Sequence, residues 1–280
     1  MNQTKITLLL ILSVLLFTQC EVINPEEEIP AYIDIPEIVV NEDFSQISDA
    51  WVYVDDNLVG VYALPAHFPV YSIGERKITI RPGIKNNGIA VTRGYYPFYA
   101  PYVIDTVLTP KETLTITPTT QYREYLEFPL EETFESVALT LEISDTTSLG
   151  FVRTDTVADA PSGKVAYVDL LPDTVFSVQT IEQFQLPGNR SVYLELSYKT
   201  NYYFELAWKV ENLMDNTIRT NPIYQFNPNT EWQHIYIYLT DFITDYDIQT
   251  NRFRFLLGSR NSASESKYIY FDNIRLIYFQ

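Results

Sequence analysis

The chain is short of the residues from which most catalytic and metal sites are assembled. Its 280 residues contain one cysteine, Cys20, and two histidines, His67 and His234. A single cysteine permits no internal disulfide and removes cysteine-based zinc sites and thiol catalysis. Neither histidine falls in a metal-ligand or triad spacing, and His67, after Pro65-Ala66, reads as an exposed loop residue. No Gly-x-Ser-x-Gly, glycine-rich phosphate loop or His-Glu-x-x-His string occurs. A glycosidase needs two carboxylates across a cleft, but with 36 Asp and Glu such a pair can be drawn almost anywhere and selects nothing. The expectation is a protein that is not an enzyme.

Cations are scarce too. Against the 36 acids stand 19 Lys and Arg, giving a net charge of −17 and a pI near 4.4. A nucleic-acid partner needs a basic face to displace counterions from phosphate, so none is expected. An anionic membrane surface would repel the chain as well, and attachment would have to come from a lipid. Only nine glycines accompany 22 Tyr and 16 Phe. With Val, Ile and Thr, these aromatics suit a pleated, half-buried surface, which favours an all-β fold.

One apolar run exists, Ile6 to Phe17, and no comparable run follows it. It is too short for a spanning helix, which takes about twenty residues, and suits the apolar segment of an export signal behind Lys5. Leu16-Phe17-Thr18-Gln19-Cys20 resembles the bacterial lipobox, with Gln19 standing where that pattern has Gly, Ala or Ser. The resemblance implies a signal peptide over residues 1–19, lipidation of Cys20 and an acidic tether over residues 20–30. Glu26-Glu27-Glu28 resembles the acidic export signal of Bacteroidota surface lipoproteins. Together they imply an outer-membrane protein, lipid-anchored and surface-exposed.

The rest reads as two β-sandwich domains, over residues 31–120 and 121–280, with a boundary region at Pro118–Glu132. In the first, Trp51–Val54 and Leu58–Tyr62 flank Asp55-Asp56-Asn57, which is hairpin grammar. Lys77 to Arg81 alternates strictly, and Asn86-Asn87-Gly88 makes a tight turn before an expected strand over Ile89–Thr92. Val52-Tyr53-Val54-Asp55-Asp56 with Gly60, Pro65, Gly74 before Ile78-Thr79-Ile80, and Gly94-Tyr95-Tyr96 resemble the PEGA domain. That family implies a small β-sandwich associated with bacterial envelope proteins.

In the second, runs recur at Ser136–Ile143, Lys164–Asp169, Ser191–Tyr198, Tyr202–Val210, Gln233–Leu239, Asn251–Leu257 and Lys267–Phe279. Such spacing predicts an antiparallel sandwich. The ending Tyr268 to Leu276, with Phe134-Glu135, Tyr193 to Lys199 and Glu231-Trp232 before Ile235-Tyr236-Ile237, resembles jelly-roll carbohydrate-binding modules. Trp208 and Trp232 read as core or sheet-rim residues.

Strand parity then selects a candidate face, because successive side chains alternate across a sheet. Val192, Leu194, Leu196, Phe204, Leu206, Trp208, Ile235, Ile237, Phe253 and Phe255 fall on core faces. That leaves Tyr193, Glu195, His234, Tyr236, Tyr238, Arg252 and Arg254 outward, and if their strands share a sheet they form a sugar-type site of aromatic and charged groups. The module resemblance further implies a structural calcium between Glu135 and Asp272. Four Asp-Thr strings resemble the O-glycosylation motif of exported Bacteroidota proteins, with Thr106, Thr146, Thr156 and Thr174 as acceptors on exposed turns. The expected function is non-catalytic binding in the cell envelope, of polysaccharide or, alternatively, of protein partners in a larger envelope or secretion complex.

Overall fold

A computed structural model describes residues 28–41 and 44–280; Cys20, the export signal and most of the tether lie outside the described residues. The described residues are all-β, built as two β-sandwiches, the second jelly-roll-like, with one helical turn among them. No helix among the described residues is long and apolar enough to cross a membrane.

The first sandwich begins with β1 (Ala31–Ile35), β2 (Val39–Val40), β3 (Asp49–Val54), β4 (Asn57–Ala63) and β5 (Ala66–Val70). It continues through β6 (Gly74–Lys85), β7 (Arg93–Tyr95), β8 (Tyr102–Leu108), β9 (Thr113–Thr115) and β10 (Thr119–Thr120). One sheet runs β4-β3-β6, with β7 and β8 both paired along the far side of β6. It faces a β5-β1-β9 sheet, and β2 pairs with β10 beyond. Ile33, Val52, Phe68, Ile78, Ile80 and Leu108 fill the space between, which period-two alternation along β1, β3 and β6 makes possible. The β3–β4 hairpin turns at Asp55 and Asp56, both at positive φ (50° and 64°), as a two-residue loop compatible with strand twist requires.

Ile89–Thr92 is not a strand. Those residues form an exposed loop whose Thr92 hydroxyl bonds the Asn86 carbonyl at 2.8 Å, so local turn bonding takes the place of a ladder. His67 lies within β5, not in a loop. Its ring is exposed and stacks on Tyr32 with centroids 5.4 Å apart.

The second sandwich contains β11 (Leu126–Glu132), β12 (Leu141–Ile143), β13 (Val152–Thr154), β14 (Val165–Leu170), β15 (Val175–Thr180) and β16 (Val192–Thr200). After these come β17 (Phe204–Asn212), β18 (Ile218–Phe226), β19 (Asn229–Tyr238), α1 (Thr240–Ile243), β20 (Asn251–Arg260) and β21 (Lys267–Phe279). A six-stranded sheet runs β13-β14-β21-β16-β19, with β11 also beside β21; a five-stranded sheet runs β12-β15-β20-β17-β18. Leu194, Leu196 and Ile237 from the first meet Trp208, Phe253 and Phe255 from the second. Each such side chain, fully buried, stabilises by roughly 1.5–3 kcal/mol. A bulge at Asn273 (φ 49°) shifts the parity of β21, so that Phe271 and then Ile274 and Leu276 reach the core.

Candidate functional site

The seven expected ligand residues divide between two faces. Tyr193 and Glu195 on β16, and His234, Tyr236 and Tyr238 on β19, face away from the second sandwich's core, as parity predicts. Arg252 and Arg254 on β20 lie on the other sheet, across the sandwich. The expectation of one shared face is therefore corrected: β20 pairs with β15 and β17, never with β16 or β19.

The tyrosine face is also not open. Tyr193, Glu195, His234 and Tyr236 are buried, and Tyr238 is half-buried, because the first sandwich packs over them. Tyr96, Phe98 and Tyr99, after β7, supply the covering rings. Tyr96 sits 5.1 Å from Tyr193 and 4.7 Å from Tyr236, and Phe98 sits 5.6 Å from Tyr193. Burying rings that a sandwich must otherwise leave in water is the hydrophobic part of this joint.

Its polar part is equally well filled. Both Tyr96 and Tyr122 donate their hydroxyls to Glu195, the latter at 2.5 Å to Oε2. His234 Nε2 stands 3.6 Å from the same Oε2, past hydrogen-bond length, while Nδ1 meets Ser197 Oγ at 2.9 Å. Burial alone would raise the Glu195 carboxyl, but the attraction of His234 and the two tyrosine donors outweigh it and hold the group below the ordinary glutamate range. Tyr96, Tyr99, Tyr122 and Tyr236 are all pushed up, first by burial and then by charged or polar neighbours.

The edge of β19 is capped by the first sandwich. Gln46 donates to the Trp232 carbonyl (3.3 Å) and accepts from the His234 N–H (3.2 Å). Asn87 does the same one step along, its backbone N–H reaching the Tyr236 carbonyl (2.8 Å) and its Oδ1 accepting from the Tyr238 N–H (2.9 Å). Two residues thus take up the outward groups of an otherwise open edge strand. The predicted turn at Asn86-Asn87-Gly88 is what delivers Asn87. Gly88 (φ 66°) fits because a Cβ there would stand 3.3 Å from Ile235. A cleft of about 680 Å³ runs beside this seam, lined among others by Glu37, Lys85, Tyr224 and Gln233. Several of its wall residues, Gln46, His234 and Tyr236, are already engaged in holding the joint.

The outer face of the five-stranded sheet is uncovered. Lys209 on β17 donates to Gln179 on β15 (2.7 Å), and Gln179 donates to Glu142 on β12 (2.8 Å). Arg254 on β20 approaches the same Glu142 oxygen at 3.5 Å. These side chains form a polar comb over four adjacent strands, with Gln183 on Glu211 beside it. Gln179, Gln183, Lys209, Glu211, Ile218 and Arg254 line a depression of about 260 Å³. Arg254 Nε is buried there and has no hydrogen-bond partner among the described residues. Parity along Tyr202–Val210 already turns Lys209 outward, whereas Gln179 is turned outward only where Val175–Thr180 is recognised as a strand.

The expected calcium pair does come together. Asp272 is buried and its carboxyl is pushed up to about 6, mainly by burial and further by Glu135. Its oxygens accept from Ser162 Oγ (2.7 Å) and the Asn273 N–H (2.8 Å), and Glu135 accepts from the Lys164 N–H (2.5 Å). Calcium takes six to eight oxygens. Here two carboxylates already hold donors, and no group of three or more His, Cys, Asp or Glu gathers among the described residues. The donor set falls short of a calcium cage.

Of the four candidate acceptor threonines, Thr146 and Thr156 are exposed outside strands and Thr174 is half-buried just before β15, donating to the Leu171 carbonyl at 2.6 Å. Thr106 departs from the expectation of a turn, since it lies in β8 opposite Arg76.

No family model matches the chain, and no curated protein matches it either, so the PEGA-like resemblance of residues 31–120 has no matching model behind it. Solved structures similar to the chain are carbohydrate-binding β-sandwich modules. The family 11 module of cellulase Lic26A-Cel5E of Clostridium thermocellum shares 14% identity over 54% of this chain and 94% of its own, with a TM-score of 0.35. The CBM22-1 xylan-binding domain of Paenibacillus barcinonensis Xyn10C shares 10% over 56% of this chain and 98% of its own, with a TM-score of 0.39. A structure described as a promiscuous carbohydrate-binding module of the β-sandwich superfamily shares 12% over 90% of this chain and 99% of its own, with a TM-score of 0.42. Likeness at this level assigns no ligand.

Proposed function

We propose that the protein is a non-catalytic, lipid-anchored binding protein of the cell envelope that recognises glycan on the uncovered outer face of the second sandwich. The observation that carries the reading is the polar comb of Glu142, Gln179, Lys209 and Arg254 around an open depression. Amides and charged groups held across rigid strands offer fixed donors and acceptors to sugar hydroxyls, with little ordering left to do on binding. The buried, unpartnered Nε of Arg254 is a donor with capacity to spare. Anchoring rests on the apolar run Ile6 to Phe17 and the lipobox resemblance that ends at Cys20. The outer-membrane location rests on the resemblance of Glu26-Glu27-Glu28 to a surface-lipoprotein export signal.

Affinity electrophoresis of the purified protein against a broad panel of neutral polysaccharides tests the binding. Retention on at least one, lost in a Lys209→Ala, Arg254→Ala double variant, is expected. No retention across the panel sinks it, and a stoichiometric protein co-purifying from mildly solubilised membranes would favour the accessory-subunit role instead. For the anchor, Cys20→Ser should leave the membrane fraction and lose an incorporated acyl label.

A further inference from the structure

The outer face of the first sandwich's β4-β3-β6 sheet carries the aromatic residues that the second sandwich's open face lacks. Trp51 and Tyr53 alternate outward on β3 while Ala50, Val52 and Val54 point into the core. Cross-strand from Trp51 are Val61 on β4 and Arg81 on β6. The Arg81 guanidinium lies 5.1 Å from the ring centroid of Tyr53 and 5.1 Å from that of Tyr95, and Tyr95 packs edge-on against Trp51 at 5.9 Å. Tyr95, Val61 and Val103 remain exposed on this face.

Two features separate this face from ordinary cross-strand pairing. Arg81 has no carboxylate partner among the described residues, in a chain whose net charge is −17, although its neighbours are paired. Arg76 lies 3.4 Å from Asp55 and Lys77 lies 2.8 Å from Asp56, and Arg93 is held by Asp49. Both Arg81 Nε and Trp51 Nε1 are buried without an acceptor. The platform is also built to a shape: a Cβ on Gly83 would stand 2.9 Å from Trp51 Cδ1 and 2.8 Å from Asp49 Cβ, so only glycine leaves the indole room to lie there.

We propose that this face is a second binding surface, distinct from the comb of the second sandwich, and that its ligand is a polysaccharide carrying uronic acid residues. Sugar rings would stack their apolar faces on Trp51 and the exposed ring of Tyr95. A uronate carboxylate would take the guanidinium of Arg81, which lies over both tyrosine rings. Charge complementarity selects the acidic polymer, since a neutral one leaves Arg81 unanswered. At physiological salt the Debye length of about 8 Å confines the repulsion from the acidic remainder of the protein.

Affinity electrophoresis of the full protein in gels containing polygalacturonate, and in gels containing its carboxyl-reduced form, tests this. Retention on the acidic polymer alone is expected. Arg81→Gln should weaken it about tenfold, as loss of one charge-assisted contact does. Trp51→Ala should weaken it as well, and the melting temperature of Arg81→Gln should match that of the wild type. The Lys209→Ala, Arg254→Ala variant should bind polygalacturonate normally, which keeps this proposal separable from the neutral-glycan reading. Absence of retention, equal retention on the reduced polymer, or full retention by a folded Arg81→Gln would each overturn it.

Discussion

The second sandwich has two outer faces, and they differ in both content and cover. On the six-stranded sheet the outward positions are Tyr193, Glu195, His234, Tyr236 and Tyr238; on the five-stranded sheet they include Gln179, Lys209, Arg252 and Arg254. The first set is rich in rings and sits beneath Tyr96, Phe98 and Tyr99, while the second is charged and stands in solvent. Large apolar patches are rarely left exposed in a stable protein. Polar combs, which are hydrated at little cost, can stay open and serve a ligand. Tyrosines facing out of a sheet therefore announce a contact, and whether that contact is a ligand or another part of the same chain depends on what the rest of the chain places there.

The sharpest way to break the comparison is to remove the cover. Tyr96→Ala deletes a fully buried ring and one of the two hydroxyls on Glu195. It should cost about 3–5 kcal/mol, as large-to-small changes of buried aromatics do, measured by denaturant unfolding at pH 7. Equal stability would mean that the two sandwiches do not hold one another through this ring.

Two buried carboxylates give the next contrast. Asp272 titrates at about 6 when folded, against an ordinary value of 3.8, because burial and Glu135 oppose its charge. A raised acid pKa imposes a penalty that is fully present above pH 6 and is relieved as the pH falls towards 4. Asp272→Asn should remove that penalty and stabilise the protein at pH 7 by up to roughly 3 kcal/mol. The gain should vanish near pH 4. If the variant is instead less stable at pH 7, and calcium raises the melting temperature of the wild type alone, a cation held by Glu135 and Asp272 is the better account.

Glu195 has the opposite sign. Its folded pKa lies below 4.5, so the stability it contributes is present above that value and is lost as the pH falls through the lowered folded pKa. Glu195→Gln should cost about 1–3 kcal/mol at pH 7, the usual effect of leaving a buried hydroxyl badly paired. It should also flatten the acid limb of the stability curve below pH 4.5. The smallest effect belongs to the open face, where Lys209→Ala with Arg254→Ala should change stability by no more than about 0.5 kcal/mol, as for surface sites in general.

Much of the fold is written in period-two alternation. Leu194, Trp208, Ile237 and Phe253 fall on core faces because each strand there has one dry side, and such strands betray their parity. Parity fails at Asn273, where the bulge in β21 inserts a residue, and it says nothing about which strands share a sheet. That second gap is why Arg252 and Arg254 read as companions of Tyr236. The joint was hidden for another reason. Tyr96 and Tyr122 meet Glu195 across 99 and 73 residues of chain, Tyr99 meets Tyr236 across 137, and only tertiary structure brings Gln46 and Asn87 to the edge of β19. Ile218–Phe226 is hard to read as a strand because Asn221 and Pro222 interrupt its apolar pattern, and Val175–Thr180, although Phe176, Val178 and Thr180 alternate inward, is a short run with few apolar residues.

The central claim is that the tyrosine face holds the molecule together and the charged face meets ligand. Retention on a bound neutral polysaccharide, compared between Tyr236→Phe and Lys209→Ala with Arg254→Ala, tests it most directly. Tyr236→Phe removes a hydroxyl whose neighbours, Tyr99 at 3.3 Å with Ser45 and the Gln46 backbone, all lie within the joint, and it should leave retention unchanged. The double variant should run as in a gel without polysaccharide. The reverse pattern, with Tyr236→Phe released and the double variant retained, would contradict the account.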